Sequence, residues 1–580
     1  MRNRSVRSLA AFLSAVLLCA LPACAPAASD PNGEGAGNDP PEIPAEAADP
    51  APETEEPVSA EPEPEAEPET PPEPGVFPKG VQAKTVVTVS EPSDYSDKLT
   101  LATLEGLAAR SSDTQILIKN GASDLYLPLI RKEWGAETTD RIGGKPPTVS
   151  NLLAAFTDQI DGYVLCSSDP ADPSVSTAVS VAGLLNAVVV TEKNRNIAEK
   201  AGYSMILDVT GCNERWLRSS EYWDRLNRKI AFEQPASMAP KLVDYAVMTN
   251  AFFGFYDGHV TAGHTKMYEF LDDGAVVFGY NNTLGELETV RSYGYLNLQM
   301  VPADHAYNLS TLSGFRLDRI EQKGGGSGEE ETPEAAHTLC VMMSDGDNLQ
   351  WVLNNFATSS EWYGNPKRGK FPMAWGVSPA AIDTAAPMLS YLYGKATEKD
   401  EFVMQLSGLG YTFPSRWDPA ARLDMAKELA KSMKRADLKY AEILDDGGFK
   451  TESLKDFAAQ PEIEGLFYIE YSWYASERGK ILWLDGKPCV SARHMIWAGH
   501  PAGGLDYIAR KINGASTDPK DEDAYTFLIV HAWSGMKNGK LAEHGNTMDA
   551  VAELLSMLDE DVEVVTPSVF MNRLIQNCAP

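Results

Sequence analysis

The chain has 580 residues, 43% of them hydrophobic and 9% aromatic, with 82 acidic residues against 50 basic ones and a formal net charge of −32. That length exceeds what one hydrophobic core can organise and implies roughly two to four domains. The acidic balance, with no basic run, argues against nucleic acid and other anionic polymers as partners and suits neutral or weakly charged substrates.

Arg2, Arg4 and Arg7 precede an apolar run over residues 9–21. The run is short for a bilayer crossing, and a charged start, an apolar core and small residues before a cut describe a secretory signal. Leu21-Pro22-Ala23-Cys24 resembles a bacterial lipobox, so residues 1–23 are expected to be the signal and Cys24 the lipidated first residue. Two or more acyl chains there would hold the protein stably at a membrane surface, its expected membrane contact being that anchor alone.

Residues 24–84 read as a disordered tether. Residues 25–78 contain 15 acidic and 15 proline residues and neither Lys nor Arg. Such a segment buries too little apolar area to offset chain entropy, and in polyproline II form it extends roughly 3.1 Å per residue. Of the formal −32, the tether supplies −15 and the signal arginines +3, leaving −20 on residues 79–580.

Residues 85–212 alternate short apolar strands (116–118, 162–165, 187–190) with a helical pattern at 175–185, an α/β character. Residues 213–323 suggest second and third small domains, with a strand at 275–280, a helix near 285–293 and a strand at 298–302. No Gly-rich phosphate fingerprint follows these strands, and no cofactor is expected. His259 and His264 read as packing or surface residues. Beyond Cys19 and Cys24, the cysteines are Cys166, Cys212, Cys340, Cys489 and Cys578, widely spaced and without a Cys/His metal pattern. Cys340 and Cys489 fall within predicted strands, as buried thiols.

A Gly-rich break opens the linker 324–336, after which the rhythm becomes regular. Strands are predicted at 339–344, 371–377, 402–406, 440–444, 466–470, 488–492, 526–530 and 562–565, with helices at 349–356, 380–393, 419–436, 453–459, 504–512, 547–558 and 568–575. Eight strand–helix steps in about 240 residues are the size of a barrel domain, here 337–580. The expected fold is therefore α/β: a C-terminal (β/α)8-type barrel preceded by small α/β domains. Residues 471–485 are the irregular stretch, a loop or hairpin where a helix is due.

In such a barrel the working groups lie at the C-terminal ends of the strands. That filter returns acids, aromatics and two histidines: Asp345 and Asp347 after the first strand, Asp445 and Asp446 after the fourth, and Glu470 ending the fifth. Glycosidic hydrolysis needs two carboxyls facing one bond, and these five are the candidates. Phe467, Tyr468 and Trp473 would desolvate Glu470 as an acid. Pyranose rings present apolar faces, so Trp351, Tyr411, Phe413, Trp473 and Trp533 are expected to contact substrate, with Gln405, Arg493, His494 and His531 as polar contacts.

Gly408-Leu409-Gly410-Tyr411-Thr412-Phe413-Pro414 leaves the third strand through two glycines and two aromatics. It resembles the GxGYxYP signature of a family of glycoside hydrolases, with Phe413 where the family usually has a second Tyr. The segment from Met343 to Trp351 is similar to the family's MSDGDN stretch, and residues 301–310 to the stretch preceding its catalytic domain. The resemblance runs from about residue 85 to the end, and implies the barrel and a hydrolase of extracellular poly- or oligosaccharide. Two other readings fit the residues: a metal-dependent polysaccharide deacetylase using the aspartates with His494 and His531, and a non-catalytic carbohydrate-capture lipoprotein.

Overall fold

The computed structural model describes residues 77–256, 265–280, 285–325 and 333–580. The signal, Cys24, the tether up to residue 76, His259, His264 and part of the Gly-rich linker lie outside the described residues. The tether ends earlier than its composition suggests. Phe77 and Ala83 are buried, Phe77 meets Phe278 edge-on at 5.6 Å, and its backbone N–H donates to Asp383 at 3.3 Å.

Three small sheets precede the linker, and every pairing in them is parallel. Thr85–Val89 lies between Thr114–Ile118 and Glu137–Thr139. Gly162–Cys166 lies between Ala187–Thr191 and Met205–Asp208. Four strands form the third sheet in the order Gln299–Val301, Val276–Phe278, Ile230–Gln234, Phe252–Phe255. Runs such as Ala187–Thr191, buried at every position, suit parallel sheets covered by helices. Residues 230–234 and 252–255, for which no strand was predicted, are two of these strands.

All eight strands predicted after the linker form, within one ten-stranded curled sheet. Its first strand, His337–Met343, pairs along Thr338–Met343 with the seventh, Tyr525–Val530. On its other side it meets the eighth, Val562–Val565, beside its start and the second, Met373–Val377, beside its end. Asp400–Met404, Tyr440–Asp445 and Gly465–Glu470 follow in parallel order. The expected (β/α)8-type barrel is thus present only in part, because the eighth strand does not sit between the seventh and the first. Strand counting cannot see register, and that short, half-buried segment gives no sign of its partner.

Residues 487–496 join the two ends of the curl. Lys487–Ser491 pairs with the fifth strand, and His494–Ile496 with the seventh. Between them the Ala492 N–H donates to Tyr468 and the Arg493 N–H to Phe527, both at 2.9 Å. The irregular stretch before them ends in the antiparallel strand Ile481–Leu484, so a hairpin fills the place of the missing helix.

The C-terminal ends of the curled strands converge, and the third N-terminal sheet docks on that same end. Met300 and Tyr411 exchange two backbone hydrogen bonds, at 2.6 and 3.0 Å. The signature glycines are what allow this approach. A Cβ at Gly408 would lie 2.3 Å from the Gln299 side-chain oxygen, and one at Gly410 would lie 2.7 Å from the Met300 carbonyl. The Gly-x-Gly spacing therefore serves a backbone that another domain must touch.

Candidate active site

Asp345 closes the first strand in the left-handed region, with φ 66°, and its carboxylate accepts a hydrogen bond from Ser344. It is half-buried. Around it stand Tyr280, Glu286, Asp347, Glu442, Tyr474 and His531, each of which is close enough to respond to its charge.

Two of these acids are sealed. Asp347 is 2% and Glu442 0% exposed. Burial first, and then the neighbouring carboxylates, push both well above the ordinary carboxylate range. Asp347 Oδ1 and Glu442 Oε1 have no hydrogen-bond partner among the described residues. Gln405 ties the interior together: its amide donates to Glu442 at 2.8 Å and to the Met343 carbonyl at 3.0 Å, and its oxygen accepts from the Gly346 N–H at 2.8 Å. Gln405 is fully buried and braces acids where a substrate contact was expected.

Glu286 comes from the other side of the domain boundary, opening the helix Glu286–Tyr295. Its two oxygens accept from Tyr280 and Tyr411, each at 2.8 Å. Burial raises its pKa, the two phenols lower it, Asp345 raises it again, and the net direction is upward.

The other predicted acids have partners of their own. Asp445 accepts from Ser415 Oγ at 2.7 Å and from the Asp446 N–H at 2.9 Å, and burial pushes it up to about 6. Asp446 is clamped by Arg291 and by Arg416, the latter at 2.7 and 2.9 Å. Burial opposes its ionisation, but the two guanidiniums win and hold it below the usual range. Glu470 is held by polar donors where apolar desolvation was expected: Tyr468 OH at 2.8 Å and the Gly448 N–H at 3.1 Å.

The aromatics divide into core and rim. Phe413 is fully buried, edge-on to Tyr411 and Tyr471, and Tyr411 is 3% exposed, so neither offers a face to solution. Trp351 is buried among Phe356, Trp362 and Trp533. Trp473, Trp497, Trp533 and His531 are half-buried. Trp473 stacks on His500 at 3.4 Å, and Trp497 lies 5.1 Å from His531. Arg493 and His494 turn away from the rim. Arg493 pairs at 3.1 Å with Asp523, which precedes the seventh strand. Burial, with Arg493, His337 and Lys511 nearby, lowers His494 to about 4. Among the described residues no three His, Cys, Asp or Glu side chains are grouped to hold a metal ion.

Family models match three stretches: "GxGYxYP_N second domain" at residues 160–226, "GxGYxYP third domain" at 227–314, and "GxGYxYP putative glycoside hydrolase C-terminal domain" at 335–575. The chain belongs to the GxGYxYP family. Its fold resembles a crystal structure described as "a putative hydrolase from Bacteroides thetaiotaomicron VPI-5482", with 28% identity, a TM-score of 0.76, and coverage of 87% of this chain and 96% of that one. A 4-alpha-glucanotransferase from Thermococcus litoralis aligns at 12% identity over 40% of each chain with a TM-score of 0.29, too distant to carry any argument. A comparison with curated proteins finds no match.

Glu286 and Glu442 escaped the sequence reading. An acid inside the apolar run Tyr440–Asp445 is itself a signal of an interior polar group. Glu286 carried no such signal, since only docking of the third domain brings it to the site.

Proposed function

We propose that the C-terminal domain hydrolyses an O-glycosidic bond of an extracellular oligo- or polysaccharide, with Asp345 as one of two working carboxyls. The observation that carries this reading is the convergence of Asp347, Glu442 and Glu286 on half-buried Asp345. Membership of the family supports the reaction class. Two carboxyls in unlike environments are what the reaction requires, one to protonate the leaving oxygen and one to attack or activate water. Trp473, Trp497 and Trp533 give the rim apolar faces suited to sugar rings.

The test assays the protein and its Asp345→Asn variant on a glycan panel. The variant should lose about 10²–10⁴ in rate while its melting temperature and sugar affinity stay near the parent's. Parental turnover in the variant would remove Asp345 from the mechanism. Sugar binding without cleavage would favour carbohydrate capture, and chelator-sensitive release of acetate would favour a deacetylase. For location, we propose lipid anchoring through Cys24 at the bacterial surface. Cys24→Ser should release the protein into the medium, and a variant that stays with the membrane would overturn the anchor.

A further inference from the structure

We propose that Glu286, contributed by the third N-terminal domain, is the proton donor of this site, so that the active centre is shared between two domains; this rests on the glycosidase reading. Three observations carry it. Both Glu286 oxygens are fixed by phenols, Tyr280 from its own domain and Tyr411 from the signature loop, each at 2.8 Å. Its charge is sensed by Asp347, Tyr471 and Tyr474, and Asp347 and Tyr474 respond to Asp345 as well. Asp347 and Glu442 are sealed at 2% and 0% exposure, whereas Glu286 is half-buried. Asp347 Oδ1 and Glu442 Oε1, beside Asp345, are buried and without a partner among the described residues.

In the step proposed, the Glu286 carboxyl gives its proton to the bridging oxygen as the bond from the anomeric carbon to that oxygen breaks. Water supplies the hydroxyl that ends on the anomeric carbon, and its remaining proton returns to the carboxyl pair. Tyr411 is a positioning residue, and the signature glycines bring it within reach by letting Gln299 and Met300 approach.

A proton donor matters most when the leaving group is poor, which gives the test its readout. From a panel of aryl glycosides, a sugar that the parent cleaves is taken as two substrates, one with a 2,4-dinitrophenyl and one with a methyl leaving group. Glu286→Gln should lose about 10²–10⁴ on the methyl glycoside and far less on the dinitrophenyl one, and the limb of its pH profile that reports the protonated acid should vanish. Tyr411→Phe keeps the carboxyl and serves if the first variant fails to fold. Removing a donor that lowers the Glu286 pKa should move that limb to higher pH. Equal losses on both leaving groups, or an unmoved limb in Tyr411→Phe, would overturn the proposal and leave the glycosidase reading standing. A parent that cleaves no glycoside would take both down.

Discussion

Tyr411 donates a 2.8 Å hydrogen bond to Glu286, a residue 125 positions earlier in the chain. The contact joins the signature loop of the curled sheet to a helix of the third N-terminal domain. It turns a motif that reads as an exposed aromatic platform into an element of domain docking. The loop backbone pairs with Met300 and its side chain reaches an acid beside Asp345.

Docking makes Gly410 a sensitive position. A Cβ there would stand 2.7 Å from the Met300 carbonyl, a backbone atom that cannot swing aside as a flexible side chain would. Gly410→Ala should cost about 1–3 kcal/mol of stability, as other overpacked sites do. It should also lower hydrolysis by displacing Tyr411. Denaturant midpoints alongside rates check both, and an unchanged midpoint would mean that the interface is looser than described.

Asp446 should behave as a clamp. Arg291 holds its carboxylate across the same domain boundary, and Arg416 holds it from within the curled sheet's own domain. Asp446→Asn should cost about 2 kcal/mol, as hydrogen bonds to charged groups do, with turnover per folded molecule retained. Because its folded pKa is depressed, its contribution is present above the ordinary Asp value and is lost as pH falls through the lower folded one. The parent should therefore melt at a lower temperature below about pH 4, and the variant should lose less there. A catalytic collapse in a fully folded variant would contradict this role.

Elements were more legible than site chemistry. Apolar runs such as Tyr525–Val530 and the amphipathic stretch Pro419–Arg435 announce themselves locally, because burial and period are written in neighbouring residues. The partner of Val562–Val565 is a matter of register and was not readable. Among the site residues, Asp345 follows from its place at a strand end. Asp446 and Glu470 share that place, and the bonds they accept from Arg291, Arg416 and Tyr468 are contacts that no spacing encodes. Phe413 looked exposed because Tyr471, one of the two rings against it, lies 58 positions further along the chain.

Stability should also fall as pH rises through the mildly acidic range. Burial pushes Asp445, Asp244 and Asp304 each up to about 6, so the folded state holds these protons more tightly than the unfolded chain does. Their favourable contribution is complete below the ordinary carboxylate value and is lost as pH rises through about 6. Melting temperatures should decline between pH 4 and 7, and Asp445→Asn should flatten part of that decline. A slope identical to the parent's would show that Asp445 titrates alike in both states.

Two aromatic truncations should separate rim from core. Trp473 is half-buried, with one face on His500 at 3.4 Å, and it contributes to the rim beside Trp497. A ring that stacks on sugar equally in ground and transition states gives uniform binding, so Trp473→Ala should raise KM with kcat nearly unchanged. An aromatic contact worth about 0.5–1.5 kcal/mol corresponds to a KM change of up to roughly tenfold. Phe413, by contrast, is fully buried between Tyr411 and Tyr471. Phe413→Ala should cost about 3–5 kcal/mol of stability and, through Tyr411, lower kcat rather than raise KM. Should Phe413→Ala fold normally and weaken only sugar affinity, the signature loop would be a substrate platform after all, and the docking role given to it here would fall.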